Sequence, residues 1–139
     1  MTSASRVLAL DYGSARCGCA VSDPTGVVAR PIESVGAPRS RKGMARLASL
    51  VGELGVERVV VGLPRSLSGG DSAQTLQTRE FAAELKRSLR VPVELYDERF
   101  TTRLAERLGG NASEDSRAAA HLLESWLAST ARRGTAGRA

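Results

Sequence analysis

The sequence predicts a single α/β domain in which helices cover both faces of a five-stranded sheet of mixed direction. Three observations support this prediction. The first 32 residues contain three short apolar or alternating segments joined by turns, which indicates a meander of three antiparallel strands. From residue 41 the apolar spacing changes to threes and fours, and helix, strand, helix, strand and helix then alternate. A strand that follows a helix directly pairs in parallel with an earlier one, so the sheet must be mixed.

Length and composition fit one domain. The chain has 139 residues, of which 42% are apolar, and we predict a folded domain over residues 1–130 and a disordered basic tail over residues 131–139. The net charge is +5, and three arginines of the tail contribute to it. No apolar run approaches the roughly 20 residues that would span a bilayer, and the first residues lack a signal-peptide pattern. We therefore expect a cytoplasmic protein without a membrane partner.

The first three strands are predicted from apolar runs and turn residues. Residues 7–10 form a continuous apolar run, typical of a strand buried on both faces, and the run ends on Asp11 and a glycine turn. The second strand covers residues 16–22 and the third covers residues 27–32, with the turn sequence Asp-Pro-Thr-Gly between them.

The remaining elements follow from helical spacing and from breakers. The first helix runs from Arg41 to a stop at Gly55, and a second helix has an apolar face that includes Leu76. Strands are predicted at residues 57–64 and 93–99, and a short helix at residues 101–108. The last helix starts near Ser113, and its apolar stripe includes Ala119, Leu122, Leu123, Trp126 and Leu127.

Three carboxylates stand at the ends of predicted elements. Asp11 ends the first strand, Glu98 ends the fifth, and Asp115 lies in the first turn of the last helix, in line with its apolar stripe. Because ligands in such sheets gather at the carboxyl ends of parallel strands, we expect these acids to converge. Two of the three also have a plainer explanation: Asp11 could cap a turn, and Asp115, like Glu114, would be stabilised by the helix N-terminus.

Convergence of three acids would have chemical consequences. Their mutual repulsion is tolerated only with a raised pKa or with bound cations. Oxygen-only ligands select Mg²⁺ or Mn²⁺, and two such ions about 4 Å apart suit an in-line phosphoryl displacement. The acids Asp11, Glu98 and Asp115 are therefore the predicted metal-binding and catalytic residues, and phosphodiester hydrolysis is the natural use.

A basic segment is the candidate nucleic-acid contact. The segment from residue 34 to residue 52 contains no acid, but it contains Arg39, Arg41, Lys42 and Arg46. Such a patch could neutralise phosphates, and it could equally be a solvated entry to the first helix.

The cysteines and the single histidine do not form a zinc site. Cys17 and Cys19 alternate on the second predicted strand, and together with His121 they provide too few ligands. We predict a reduced structural cysteine pair and a partly exposed helix histidine.

Several motifs together resemble the YqgF family. The resemblance covers nearly the whole chain before the tail. Its motifs are Leu-Ala-Leu-Asp-Tyr-Gly-Ser-Ala-Arg from residue 8, Ala-Val-Ser-Asp from residue 20, Val-Val-Gly-Leu-Pro from residue 60, Asp-Glu-Arg-Phe-Thr-Thr from residue 97, and Asp115 before Leu-Leu-Glu-Ser-Trp-Leu.

This resemblance implies an RNase H-like fold and a role in resolving Holliday junctions or in processing the 5′ end of pre-16S rRNA. It carries the metal-binding acids of the family onto Asp11, Glu98 and Asp115. Arg99 and Thr102 would hold the strand or a phosphate, and the loop after Pro64 would border the substrate groove. The other predicted nucleic-acid contacts are Arg65 and Arg103, together with Arg39, Arg41, Lys42 and Arg46.

One departure from the family and several alternatives accompany this interpretation. The segment between Glu98 and Asp115 is shorter than in typical members, which shifts the expected phosphate contacts to the basic residues elsewhere. A catalytically weak ribosome-assembly module and an actin-like ATPase fragment are the alternatives, the second disfavoured because such ATPases need two domains. The sequence leaves open RNA or DNA as substrate, and a monomer or a homodimer.

Overall fold

The computed structural model describes residues 6–65, 70–98 and 114–136. Its strands and helices follow the predicted order of three strands, then helix, strand, helix, strand and helix. In chain order they are β1 (Arg6–Asp11), β2 (Arg16–Ser22), β3 (Ala29–Gly36), α1 (Arg41–Glu53), β4 (Val56–Leu63), α2 (Ala73–Ser88), β5 (Val93–Asp97) and α3 (Glu114–Ala136). The short helix predicted at residues 101–108 and the cap predicted at Ser113 lie outside the described residues.

The five strands form one sheet in the order β3-β2-β1-β4-β5. The pairs β1/β2 and β2/β3 are antiparallel, whereas β1/β4 and β4/β5 are parallel. The predicted mixed sheet is thus confirmed, with β1 at its centre. The C-terminal ends of β1, β4 and β5 lie together, and we call this side of the sheet the carboxyl edge.

Helices cover both faces, as predicted. Leu8 and Leu10 point to the face that α1 and α2 cover, where they pack with side chains such as Leu47 and Phe81. Val7 and Ala9 point to the opposite face, which α3 covers. Because side chains alternate along a strand, the next residue of this second set is Asp11. Burial of each leucine side chain stabilises the folded state by about 1.5–3 kcal/mol. The strand is therefore strongly held in the orientation that places Asp11 on the face covered by α3.

Side-chain caps determine where the first two helices begin. Ser40 precedes α1, and its Oγ accepts a hydrogen bond from the backbone N–H of Gly43 at 2.9 Å. Ser72 and Thr75 form a capping box at the start of α2, and the Thr75 hydroxyl also donates to the carbonyl of Pro64. That last bond ties the start of α2 to the end of β4, so α2 also begins at the carboxyl edge.

The third strand differs from its predicted bounds of residues 27–32. Val27 and Val28 are 72% and 56% exposed, because their backbone N–H groups donate to the Asp23 carboxylate in a tight turn. The strand instead begins at Ala29 and continues to Gly36, which pairs with the start of β2. The turn therefore contains two residues that were predicted to be in a strand because their side chains are β-branched.

Leu76 was predicted on the apolar face of α2, and this was wrong because its side chain is 54% exposed. Phe81 lies five positions further on, and a separation of five residues rotates side chains about 140° apart around a helix. The buried positions of α2 instead include Thr75 and Thr78, together with Phe81, Ala82 and Leu85.

The end of α3 does not coincide with the predicted start of the tail at residue 131. The helix runs on to Ala136, and Ala131, Arg132 and Arg133 have good helix propensity. Basic residues also stabilise the negative end of a helix dipole. The division into a domain over residues 1–130 and a disordered tail is otherwise a prediction.

Cys17 and Cys19 are free and buried, as predicted. His121 was predicted to be partly exposed and is only 4% exposed, with Nδ1 3.6 Å from Oε1 of Glu124. Its position on α3 is away from the apolar stripe, so the helical pattern contained no sign of this burial. Over the residues described, none of the helices has the length and apolarity needed to cross a bilayer.

Candidate active site

Asp11 is the last residue of the central strand, and its neighbours on both sides are glycines. It pairs with Gly18 of β2, and because Leu10 pairs with Val61 of β4, the next residue of β4, Gly62, lies beside it on the other side. Both glycines leave space above the sheet on the face that α3 covers.

Glu98 occupies the space above Gly62. It follows β5 directly, and a Cβ atom at Gly62 would lie 2.8 Å from its Oε1 atom and 3.0 Å from Cδ2 of Leu122. Any side chain at Gly62 would therefore displace the carboxylate. The missing side chain allows Glu98 to reach Asp11, with which it shares a hydrogen bond.

Asp115 is positioned by a contact between the backbone of α3 and β2. A Cβ atom at Gly18 would lie only 1.9 Å from the Asp115 carbonyl oxygen, so the first turn of α3 rests directly on β2. The Asp115 side chain is half-buried. Its negative charge acts on Asp11. Asp11 and Glu98 are thus in direct contact and Asp115 is near enough for its charge to act on Asp11, while a shared cation site of the three acids stays a prediction.

The pKa of Asp11 reflects this crowding. Burial, the charge of Glu98, the hydrogen bond with Glu98 and the charge of Asp115 together raise the pKa of the Asp11 carboxyl from 3.8 to about 8. The protonated form of the Asp11 carboxyl is therefore favoured far above the pH at which an exposed aspartate ionises. The pKa of the Cys17 thiol is also raised. The causes are a hydrogen bond to Cys19, burial, and the charges of Cys19, Asp11 and Asp115. The thiol is thus uncharged, in keeping with a structural role.

The donor chemistry of the three acids suits a divalent cation. Within residues 6–65, 70–98 and 114–136, no three His, Cys, Asp or Glu side chains already stand in the arrangement of a metal site. The available ligand atoms are nevertheless all carboxylate oxygens, which Mg²⁺ and Mn²⁺ prefer. A cation beside Asp11 and Glu98 would relieve the same repulsion that raises the pKa of Asp11.

Two of the predicted phosphate contacts are ion-paired within the protein. Arg39 contacts Glu84 of α2 at 2.6 Å and Glu80 at 3.3 Å, and Arg46 contacts Glu53 at 3.5 Å. Within the acid-free window, Arg39 therefore faces acids of α2, whereas Arg46 is paired with the glutamate that ends α1. Arg39 secures α1 to α2, and its charge is largely compensated.

Other predicted contacts lie at the carboxyl edge. Arg41 and Lys42 are exposed in the first turn of α1, which contains no acid. Arg65 follows β4, with Nη1 3.7 Å from Oδ2 of Asp97 and Nε 3.9 Å from Oδ1 of Asp71. It therefore borders the site beside Glu98 but is paired with acids. The remaining predicted contacts, Arg99, Thr102 and Arg103, lie outside the described residues.

Sequence reasoning missed the residues that shape the site. Gly62 belonged to a quoted motif and Gly18 lies between two of them, but no local pattern showed that Glu98 and α3 would approach these glycines. Ser116 was overlooked, although it precedes Ala119 and Ala120 at helical spacing and is therefore a polar residue in an apolar stripe. It is fully buried, and its Oγ accepts a hydrogen bond from the backbone N–H of Cys19 at 3.2 Å.

The strand order and the helices on both faces define the class, which is the RNase H-like fold. A solved structure supports this: RuvC of Thermus thermophilus, in complex with a Holliday junction substrate, has a TM-score of 0.63 with 94% of this chain and 97% of that chain covered. Its sequence is 18% identical, so the likeness concerns the fold.

The chain belongs to the RuvX (YqgF) family of Holliday junction resolvases, whose profile matches residues 5–129. A protein of Mycolicibacterium paratuberculosis, provisionally named a pre-16S rRNA nuclease, is 45% identical over 132 residues, which are 88% of this chain and 79% of that protein. A protein of Koribacter versatilis with the same name is 44% identical over 103 residues, 74% of this chain and 67% of that protein. The predicted family and its nuclease class are confirmed, and the actin-like ATPase alternative is not supported.

Proposed function

We propose that this chain is a metal-dependent nuclease in which Asp11, Glu98 and Asp115 are the metal-binding and catalytic residues. The observation that carries the proposal is the buried carboxyl pair of Asp11 and Glu98, with the charge of Asp115 acting on it. Burial, Glu98 and Asp115 raise the pKa of Asp11, and none of these causes is a positive charge that would compensate the acid. Carboxylates whose mutual repulsion raises a pKa in this way are suited to an external cation.

The residues of the chain have separable tasks in this reaction. Asp11 would present ligand oxygens from the central strand of the sheet, and the glycine at position 62 leaves room for Glu98 to do the same. Asp115 would complete the set from α3. When bound, two Mg²⁺ or Mn²⁺ ions supply an activated water and stabilise the leaving oxygen of an in-line displacement.

Arg41 and Lys42 are the proposed contacts to the phosphates of the substrate. They are exposed in the first turn of α1, where the helix dipole adds positive potential and no acid of that turn opposes it. We propose smaller contributions from Arg39, Arg46 and Arg65, because their ion pairs would have to break first. Arg99, Thr102 and Arg103 keep their proposed role beside Glu98.

Precursor 16S rRNA is the proposed substrate, because it is the substrate named for relatives that are 42–45% identical across 88% of this chain. A four-way DNA junction is the second candidate, since the family is described as Holliday junction resolvases. An rRNA substrate would also require the cytoplasmic localisation expected from the sequence.

The test is a cleavage assay with the purified protein in Mn²⁺ or Mg²⁺. A precursor rRNA fragment and a four-way DNA junction are incubated in parallel, with Asp11→Asn as the inactive variant and Glu94→Gln as an acid-to-amide control at the other end of β5. We expect cleavage of the rRNA fragment that depends on the added metal and on Asp11. Binding without cleavage of either substrate would instead favour the ribosome-assembly module.

A further inference from the structure

The first turn of α3 is in backbone contact with β2. A Cβ atom at Gly18 would lie 1.9 Å from the carbonyl oxygen of Asp115 and 2.8 Å from the backbone nitrogen of Ser116. Backbone atoms cannot rotate aside as a flexible side chain can. Only a glycine at position 18 therefore allows the first turn of α3 to lie this close to the sheet.

Ser116 makes the specific contact at this crossing. The pairing between β2 and β3 is irregular here, because Cys17 pairs with Val35 whereas Cys19 pairs with Ile32. The backbone N–H of Cys19 donates to the Oγ atom of Ser116, which is fully buried. Since a buried N–H group needs an acceptor, this bond favours one position of α3 along β2.

We infer that Gly18 and Ser116 are positioning residues that hold Asp115 against Asp11. Gly18 pairs with Asp11 across the strands and contacts the backbone of Asp115, so one residue determines the place of both acids. Ser116 follows Asp115 directly, and its bond to β2 limits how far the first turn of α3 can shift or rotate. The inference rests on the proposed function, because it concerns the geometry of the proposed cation ligands.

The chain offers a matched control for Ser116. Ser22 lies at the other end of β2, is also fully buried, and its Oγ accepts a hydrogen bond from the backbone N–H of Val7 at 2.8 Å. Ser22→Ala and Ser116→Ala therefore each remove a buried acceptor from a strand N–H, and we expect similar decreases in melting temperature. Of these two serines, only Ser116 is next to a proposed cation ligand.

The experiment measures Mn²⁺ binding to the full chain by isothermal titration calorimetry, without nucleic acid. We expect Ser116→Ala to bind Mn²⁺ about 10-fold more weakly than the unaltered protein, since residues that orient metal ligands typically contribute 10–100-fold. Ser22→Ala should bind within about twofold of the unaltered protein, because its acceptor lies far from the acids. In the cleavage assay the Mn²⁺ concentration for half-maximal rate should rise for Ser116→Ala alone.

Gly18→Ala provides the second variant, in which the added methyl group must displace the first turn of α3. Its Mn²⁺ affinity should fall at least as far as that of Ser116→Ala, and circular dichroism checks that it folds. If it does not fold, the comparison of Ser116→Ala with Ser22→Ala decides. Equal Mn²⁺ affinities for those two serine variants would overturn the positioning role while leaving the proposed function intact. Failure of the unaltered protein to bind Mn²⁺ would overturn both.

Discussion

The two ends of β5 carry glutamates in opposite situations. Glu94 and Glu98 are four residues apart, so their side chains leave the strand on the same face. Glu94 accepts hydrogen bonds from Nη1 of Arg58 at 2.8 Å and from Nε1 of Trp126 at 3.0 Å. Glu98 lies above a glycine and is hydrogen-bonded to Asp11, whose pKa is raised by burial and by the charges of Glu98 and Asp115.

This contrast separates a structural acid from the candidate functional ones. At Glu94 the protein supplies both hydrogen-bond donors, so the carboxylate attaches this end of the sheet to α3. At the carboxyl edge the same fold places acids together, and the raised pKa of Asp11 reflects the cost. Groups arranged at the expense of stability are typical of sites that bind something from outside the chain.

The largest expected effect comes from removing Asp11, the acid that Glu98 contacts at the carboxyl edge. Asp11→Asn should reduce cleavage at saturating Mg²⁺ by about a thousandfold or more, because metal ligation is worth several kcal/mol in the transition state. Glu94→Gln should retain activity close to that of the unaltered protein. Steady-state cleavage of the better substrate measures both variants, and full activity of Asp11→Asn would remove the metal mechanism.

The same Asp11→Asn substitution should stabilise the protein at high pH. Because the pKa of Asp11 is raised from 3.8 to about 8 in the folded state, the folded protein holds this proton more tightly than the unfolded chain does. Stability is thus lost as the pH rises from about 4 to about 8, and the asparagine variant escapes this loss.

We expect a gain in the free energy of unfolding of about 2–4 kcal/mol for Asp11→Asn at pH 9, shrinking towards zero near pH 4. Urea denaturation in metal-free buffer across this range measures it. A gain that is independent of pH would contradict the raised pKa of Asp11.

The structural glutamate should respond in the opposite direction. Glu94→Ala leaves the buried Trp126 ring N–H without its acceptor and Arg58 without its partner, which should cost about 1–3 kcal/mol of unfolding free energy. Denaturation at pH 7 tests this value, and the Mn²⁺ affinity of the variant should be unchanged. A marked loss of Mn²⁺ affinity would mean that the two ends of β5 are coupled.

The smallest effect concerns the exposed basic residues beside the site. Replacement of Arg41 and Lys42 by alanine should weaken nucleic-acid binding and lower the salt slope by about 0.9 for each duplex phosphate that is no longer neutralised, or about 0.7 for a single strand. Arg79→Ala is the control, because Arg79 is paired with Asp71 and is not among the proposed contacts. Fluorescence anisotropy at several salt concentrations measures the slopes, and equal slopes for all variants would exclude α1 from the interface.

The order of elements and the places of Asp11 and Glu98 at strand ends could be predicted from the sequence, because they depend on neighbouring residues. Continuous apolar runs, helical spacing and breakers identified the strands and helices and placed Asp11 and Glu98 at strand ends. The apolar stripe of α3 indicated that Asp115 faces the sheet. Local rules failed where a side chain from a nearby turn intervened, as at Val27 and Val28, which the Asp23 carboxylate holds in a turn.

Only the tertiary structure decided how these parts meet. Arg39 is paired with Glu84, 45 residues away, so an acid-free window of sequence is not an uncompensated patch in space. The crossing of α3 over Gly18 joins residues 97 positions apart through the bond between Cys19 and Ser116. The pKa of Asp11 follows from burial and from acids contributed by two other parts of the chain. Electrostatic interactions, close contacts and desolvation depend on distances in space. Those distances follow from the complete fold and not from any local stretch of sequence.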